Sequence, residues 1–121
     1  MSATCYCLPA SQQEIDLFTP FVFELLEASF AEIAPRFLRG IEVDDKDNGT
    51  PVTQADKCAE AVMRKLIEER FPKHGIFGEE FGIKEGEEDE GVRYRWILDP
   101  IDGTRSFITN SFLFGTLIAL E

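Results

Sequence analysis

The chain has 121 residues, 44% of them hydrophobic and 11 of them Phe, with a formal charge of −11. That is enough apolar material for one domain with a real core, and it excludes disorder throughout. The 23 acidic against 12 basic residues repel the phosphate backbone of nucleic acid and anionic membrane surfaces, so neither is an expected partner.

The opening MSATCYCLPASQQE has no basic n-region and no continuous apolar h-region, and no segment reaches the ~18 apolar residues of a membrane span. A soluble, cytoplasmic protein is the expectation. Cys5, Cys7 and Cys58 are an odd number with no Cys or His at zinc-ligand spacing, which fits reduced thiols. His74 is the only histidine, so Ser-His or Cys-His nucleophilic chemistry would have to run through it alone.

Ser11 with Glu14 forms a capping box and predicts a helix from about Gln12. Its apolar face reads Phe18, Val22, Leu25, Leu26, Ser29, Ile33 and Phe37, and Gly40 is the predicted stop. Pro20 and Pro35 should kink or subdivide it. Such a stripe reads as core or as a subunit interface, and a homodimer through it is the expected self-association.

Residues 41–52, IEVDDKDNGTPV, read as a loop or short hairpin with a tight turn at Asn48-Gly49. Thr53 caps a second helix, with Asp56 three positions on and Ala55, Ala59, Val62, Leu66 and Ile67 as its buried face before Pro72. Asp56 reads as a first-turn acid favoured by the helix dipole, worth roughly 0.3–1 kcal/mol, or as a functional carboxylate aimed beyond the helix end.

Ile76-Phe77 is a very short apolar step before Gly78-Glu79-Glu80, and the acidic run Glu85, Glu87, Glu88, Asp89 and Glu90 is a solvated loop joining two elements. It lacks the ligand spacing of a calcium loop. Tyr94 to Asp99 is predicted as a central strand, Gly103 to Ile108 as a short helix, and Phe112 to Leu120 as a further apolar run. A strand-like run so near the end expects neighbouring strands and a covering layer, so the chain reads as the first part of something larger.

The chemistry concentrates in WILDPIDGT, residues 96–104. An apolar strand running into Asp99 and Asp102 puts both carboxylates at the C-terminal edge of a sheet, where ligands bind in such folds. The plain alternative is a turn with an ordinary Asp-Gly bend. Acids of one sign, with Glu79-Glu80 upstream, must protonate, separate or bind a cation. A hard ion fits: Mg²⁺ held by Glu79, Asp99, Asp102 and the backbone carbonyl of Ile101, with waters and substrate phosphate in its other positions. Two such ions would carry out in-line phosphoryl hydrolysis, and N–H groups at Gly103 and Thr104 favour phosphate at the start of the following helix. Haloacid dehalogenase-type phosphatases place Asp-x-Asp-Gly-Thr after a strand, but here one extra residue separates the aspartates and Pro100 has no amide hydrogen, so that reading is set aside.

VTQAD at 52–56, GEE at 78–80 and WILDPIDGT at 96–104 resemble the magnesium-dependent, lithium-sensitive phosphatases of the inositol monophosphatase family, from about Ser11 onward. The resemblance implies an α+β fold: the N-terminal, metal-site-bearing part of a layered αβαβα sugar-phosphatase domain over residues 1–121, with two long helices on a mostly antiparallel sheet. It implies Glu79, Asp99, the Ile101 carbonyl and Asp102 as metal ligands for two or three Mg²⁺, with Mn²⁺ as a substitute and Li⁺ as an inhibitor. It also implies that Glu79 and Thr104 activate water, that Glu79, Ile101, Asp102, Gly103 and Thr104 surround the substrate phosphate, that Asp56 is an outer catalytic acid, and that Lys46 is a loop lysine. RSFIT at 105–109 and FGTLIAL at 114–120 resemble the histidinol-phosphatase branch, though Asn110 departs from the glycine usual there. The family's later Trp-Asp motif is absent. The expected activity is therefore hydrolysis of a small phosphorylated metabolite, histidinol phosphate in histidine biosynthesis. The alternatives are inositol monophosphatase activity, 3'(2'),5'-bisphosphate nucleotidase activity, or an incomplete fragment acting as a binding or oligomerisation module.

Overall fold

The computed structural model describes residues 9–38, 43–45 and 51–121, with the backbone alone at 43–45 and 51–52. Helix α1 spans Gln12–Ile33, and its start is the predicted capping box: the Ser11 hydroxyl accepts from the Glu14 amide at 3.2 Å and the Glu14 carboxylate accepts from the Ser11 amide at 2.8 Å. The helix passes through Pro20 as one element, so the predicted subdivision there is corrected. Proline removes one donor, but packing against the core holds the rest of the helix together. At the far end the helix tightens into a 3₁₀ turn over Ala34–Arg36 containing Pro35, ahead of the predicted stop. Gly40 lies outside the described residues, as do Lys46, the Asn48-Gly49 turn, Cys5 and Cys7.

Strands β1 (Val43–Asp45) and β2 (Pro51–Thr53) pair antiparallel, which is the short hairpin expected there. Helix α2 runs Gln54–Arg70 from an N-cap at Thr53 and ends just before Pro72. Strands β3 (Gly75–Gly78), β4 (Gly82–Lys84), β5 (Arg95–Asp102) and β6 (Gly115–Leu120) form a four-stranded sheet in the order β4-β3-β5-β6, with the five-residue helix α3 (Thr104–Ile108) between β5 and β6. The outer pairs are antiparallel and the central β3–β5 pair is parallel. The fold is thus α+β, two long helices on a mixed sheet. Glu90 and Gly91, both at positive φ, turn the acidic loop back so that Asp89 bridges Val92.

One sheet face packs on the helices. Phe18, Phe21 and Leu25 from α1, Met63 and Ile67 from α2, and Ile76, Trp96 and Leu98 from the strands make the main core. Its aromatic rings meet mostly edge to face, Phe21 with Trp96 at 5.4 Å and Phe18 with Tyr94 at 5.0 Å, each such pair adding about 0.5–1.5 kcal/mol beyond burial. Phe21 is absent from the predicted stripe but lies one turn from Phe18 and Leu25 on the same face. A second cluster of Ile33, Ala55, Ala59, Ile101 and Phe107 underlies the β5–α3 junction. The opposite sheet face leaves Phe77, Ile83 and Leu117 exposed.

Candidate active site

The site begins with the register of the parallel pair. Ile76 faces Trp96, Phe77 faces Ile97 and Gly78 faces Leu98. The residue after each of the last paired positions is an acid: Glu79 opens the turn that follows β3, and Asp99 continues β5. The C-terminal end of a parallel pair is the place where such sheets bind ligands.

Beyond Asp99 the ladder slips. Asp99 pairs with Leu117 but Asp102 pairs with Gly115, so β5 carries an extra residue relative to β6. Such a bulge re-aims side chains at a sheet rim, and Pro100, which has no N–H for the ladder, sits inside it. The Thr116 hydroxyl donates to the Pro100 carbonyl at 2.7 Å and the Thr104 hydroxyl to the Ile101 carbonyl at 3.0 Å. A carbonyl has two lone pairs, so the Thr104 bond leaves Ile101 one for a cation, while the Ile101 side chain is anchored in the second core cluster. Asp102 is exposed at the end of the strand.

Gly103 caps α3 at φ 90° and ψ 42°, a left-handed conformation suited to glycine. A Cβ there would sit 2.8 Å from the Leu113 carbonyl oxygen. With five residues, α3 has a small summed dipole, so any pull on an anion comes from its individual N–H groups.

Asp56 is 1% exposed and does what its capping position predicts. Its carboxylate accepts from the Thr53 amide at 2.9 Å and the Thr53 hydroxyl at 2.8 Å, and the Thr53 hydroxyl accepts from the Asp56 amide at 3.3 Å.

One residue escaped the sequence reading. Glu60, on α2 one turn after Asp56, is fully buried, and its two carboxylate oxygens accept from the Glu80 and Phe81 amides, each at 2.9 Å. Arg64 Nε pairs with it at 2.9 Å. The available signal was Glu60 in register with Ala59, Met63 and Ile67 on the apolar face of α2, with a basic residue four positions on.

Perturbed ionisable groups gather at the other end of the same strands. Burial, then the charge of Lys84, holds the His74 pKa below its usual 6.5, opposed by Asp89. The Tyr94 hydroxyl donates to Glu14 at 2.6 Å, a bond that lowers the Glu14 pKa and raises that of Tyr94. Cavities of about 230 and 550 Å³ lie at this end too, and neither is lined by Glu79, Asp99 or Asp102. The smaller is lined by His74, Glu87, Asp89 and Glu90, which do not stand close enough together to hold a metal.

The rim presents oxygen donors only, as a hard cation requires. Among the described residues, no three His, Cys, Asp or Glu side chains stand close enough to hold a metal by themselves. The rim therefore amounts to neighbouring carboxylates plus backbone oxygen, a partial set that suits Mg²⁺, which keeps several waters.

A mixed sheet backed by two long helices defines the class: an α+β fold. The family model for the inositol monophosphatase family matches residues 14–121. The bifunctional phosphatase IMPL2 of Arabidopsis thaliana is 46% identical over 91% of this chain and 31% of its own length. A histidinol-phosphatase of Chlorobaculum parvum is 51% identical over 69% of this chain and 30% of its own. The crystal structure of the extragenic suppressor protein SuhB from Bartonella henselae superposes with a TM-score of 0.73 at 28% identity, over 88% of this chain and 40% of that one. The chain belongs to the inositol monophosphatase family. It spans less than half the length of each of these relatives.

Proposed function

We propose that this chain carries the metal-binding rim of a Mg²⁺-dependent phosphomonoesterase acting on histidinol phosphate, a cytoplasmic step of histidine biosynthesis. The observation that carries the reading is the Gly78–Leu98 register pair, followed directly in sequence by Glu79 and Asp99. Glu79, Asp99, Asp102 and the Ile101 carbonyl would hold two or three Mg²⁺ ions. Bound there, Mg²⁺ would polarise the phosphoryl oxygens and lower the pKa of water.

The chain's own groups supply the rest. Glu79 accepts the proton of the attacking water while the Thr104 hydroxyl, already directed by the Ile101 carbonyl, helps orient that water. Backbone N–H groups at Gly103 and Thr104 face the phosphate. Phosphorus–oxygen cleavage then releases inorganic phosphate and the alkoxide, which takes a proton from solvent water to give the alcohol, and Glu79 returns its proton to solvent. Li⁺ is expected to inhibit by competing for the same oxygens, and Asp56 would be the outer acid that holds a further metal through water.

Histidinol phosphate is supported by the 51% identity to a histidinol-phosphatase and by the RSFIT and FGTLIAL segments. The domain assignment, the N-terminal part of an inositol monophosphatase-like domain over residues 1–121, rests on the family match. Inositol monophosphate and 3'(2'),5'-bisphosphate nucleotides are the competing substrates. A second reading has one observation in its favour: the exposed Phe77, Ile83 and Leu117 on the outer sheet face suit a module that binds metal weakly and self-associates as a homodimer.

The test is phosphate release with Mg²⁺ from histidinol phosphate, inositol 1-phosphate and a bisphosphate nucleotide, by the chain and by a version extended with its downstream sequence. Preferred turnover of histidinol phosphate supports the reading, and preference for another ester reassigns the substrate. No turnover by either version, with concentration-dependent dimerisation, favours the module.

A further inference from the structure

The turn that carries Glu79 is held from below. Glu79, Glu80 and Phe81 form a three-residue loop between β3 and β4, closed by the Gly78–Gly82 pair, with Gly82 at φ 75°. A hairpin of this kind closes on its own, yet α2 drives a fully buried carboxylate into it. The two oxygens of Glu60 accept from consecutive amides, Glu80 and Phe81, each at 2.9 Å, so the plane of the peptide joining them is fixed. Arg64 balances the charge at 2.9 Å, donates to the Gly82 carbonyl and lies 5.9 Å from the centre of the Phe81 ring. A Cβ on Gly78 would fall 2.4 Å from the Glu60 carboxylate, so helix and turn are in direct contact on the other side of Glu79 as well. Burying a carboxylate is costly unless it is paired and hydrogen-bonded, and this one is satisfied by Arg64 and by the two amides that directly follow Glu79.

We propose that Glu60 is a positioning residue: with Arg64, it locks the Gly78–Gly82 turn so that the Glu79 carboxylate is presented to the rim beside Asp99. This rests on the reading of Glu79 as a metal ligand. Sites that bind metal depend on such supporting bonds, whose loss typically weakens affinity about 10–100-fold.

The test uses the whole chain, Mn²⁺ alone as the probe, and amide hydrogen exchange of Glu80 and Phe81 followed by NMR. Glu60→Gln puts an amide donor against an amide donor, and Glu60→Asp keeps the charge near Arg64 but ends one methylene short of the turn. Both are expected to release the Glu80 and Phe81 amides to fast exchange, leave core amides such as Trp96 and Leu98 protected, and weaken Mn²⁺ binding at least about tenfold. Glu79→Gln is expected to lose Mn²⁺ binding with both turn amides still protected. Unchanged amide protection in the Glu60→Asp chain overturns the clamp, and so does lost protection with unchanged Mn²⁺ affinity. Mn²⁺ binding that survives Glu79→Gln overturns the ligand reading instead, and a parent chain that binds no Mn²⁺ overturns both. Should Glu60→Gln fail to fold, Glu60→Asp and the protection of these amides in the parent chain decide.

Discussion

The indole Nε1 of Trp96 donates to His74 Nδ1 at 3.0 Å, and the imidazole stacks on Phe71 at 4.6 Å with the planes 6° apart. Indole only donates, so Nδ1 must be the unprotonated nitrogen and the ring is neutral. Burial and Lys84 favour that state. The unfolded chain therefore takes up a proton near pH 6.5 that the folded chain resists. Stability is fully present above that pH and declines as pH falls through 6.5 towards the lower folded value, with Asp89 softening the effect. Urea midpoints should drop between pH 7.5 and 5.5, and His74→Phe should flatten that slope. A variant with the parent slope would contradict this account.

Thr53 and Asp56 exchange hydrogen bonds at the start of α2 while both are buried. Thr53→Ala should lower stability by about 1–2 kcal/mol, read by urea denaturation. Because the hydroxyl serves the cap, Mn²⁺ affinity is expected to stay at the parent value.

Ser29 Oγ is buried on α1 and has no hydrogen-bond partner among the described residues. Its hydroxyl has given up water for nothing, so Ser29→Ala should be neutral or stabilising by up to about 1 kcal/mol. A clear fall in melting temperature would show that the hydroxyl is paired in solution.

Gly103 couples the signature turn to the loop before β6. Its positive φ and the Leu113 carbonyl 2.8 Å from a would-be Cβ make Gly103→Ala unfavourable on two counts. About 1–3 kcal/mol should be lost, with chemical-shift changes centred on Leu113 and Phe114.

Asp102 is exposed, so Asp102→Asn should shift stability by no more than about 0.5 kcal/mol. In a version extended downstream, the same change should abolish Mg²⁺-dependent phosphate release. Near-normal turnover would remove Asp102 from the ligand set.

Much of this was legible along the chain, for local reasons. Both long helices start where Ser11 with Glu14 and Thr53 with Asp56 write a capping box into four consecutive residues. The strand predicted over Tyr94–Asp99 and the start of a short helix at Gly103 could be read because apolar runs and glycine act within a few residues, although the strand runs on through Pro100 to Asp102. Pro20 misled for the opposite reason: a local breaker was overruled by the burial of Phe18, Phe21 and Leu25 around it. The end of α1 came early because Pro35, not Gly40, interrupts the bonding pattern.

By itself, then, the amino-acid order determined where the two long helices start, that an apolar strand runs into Asp99, and which carboxylates stand close together in a signature. Those properties depend on neighbours within one or two turns. Tertiary structure alone decided that Gly78 meets Leu98 across a parallel ladder, which brings Glu79 to Asp99 from distant segments. It alone decided that Glu60 is buried under the turn while Glu68, on the same helix, is not. An acid has the same pattern whether its helix face meets water or backbone amides, and only long-range packing sets which of these it finds.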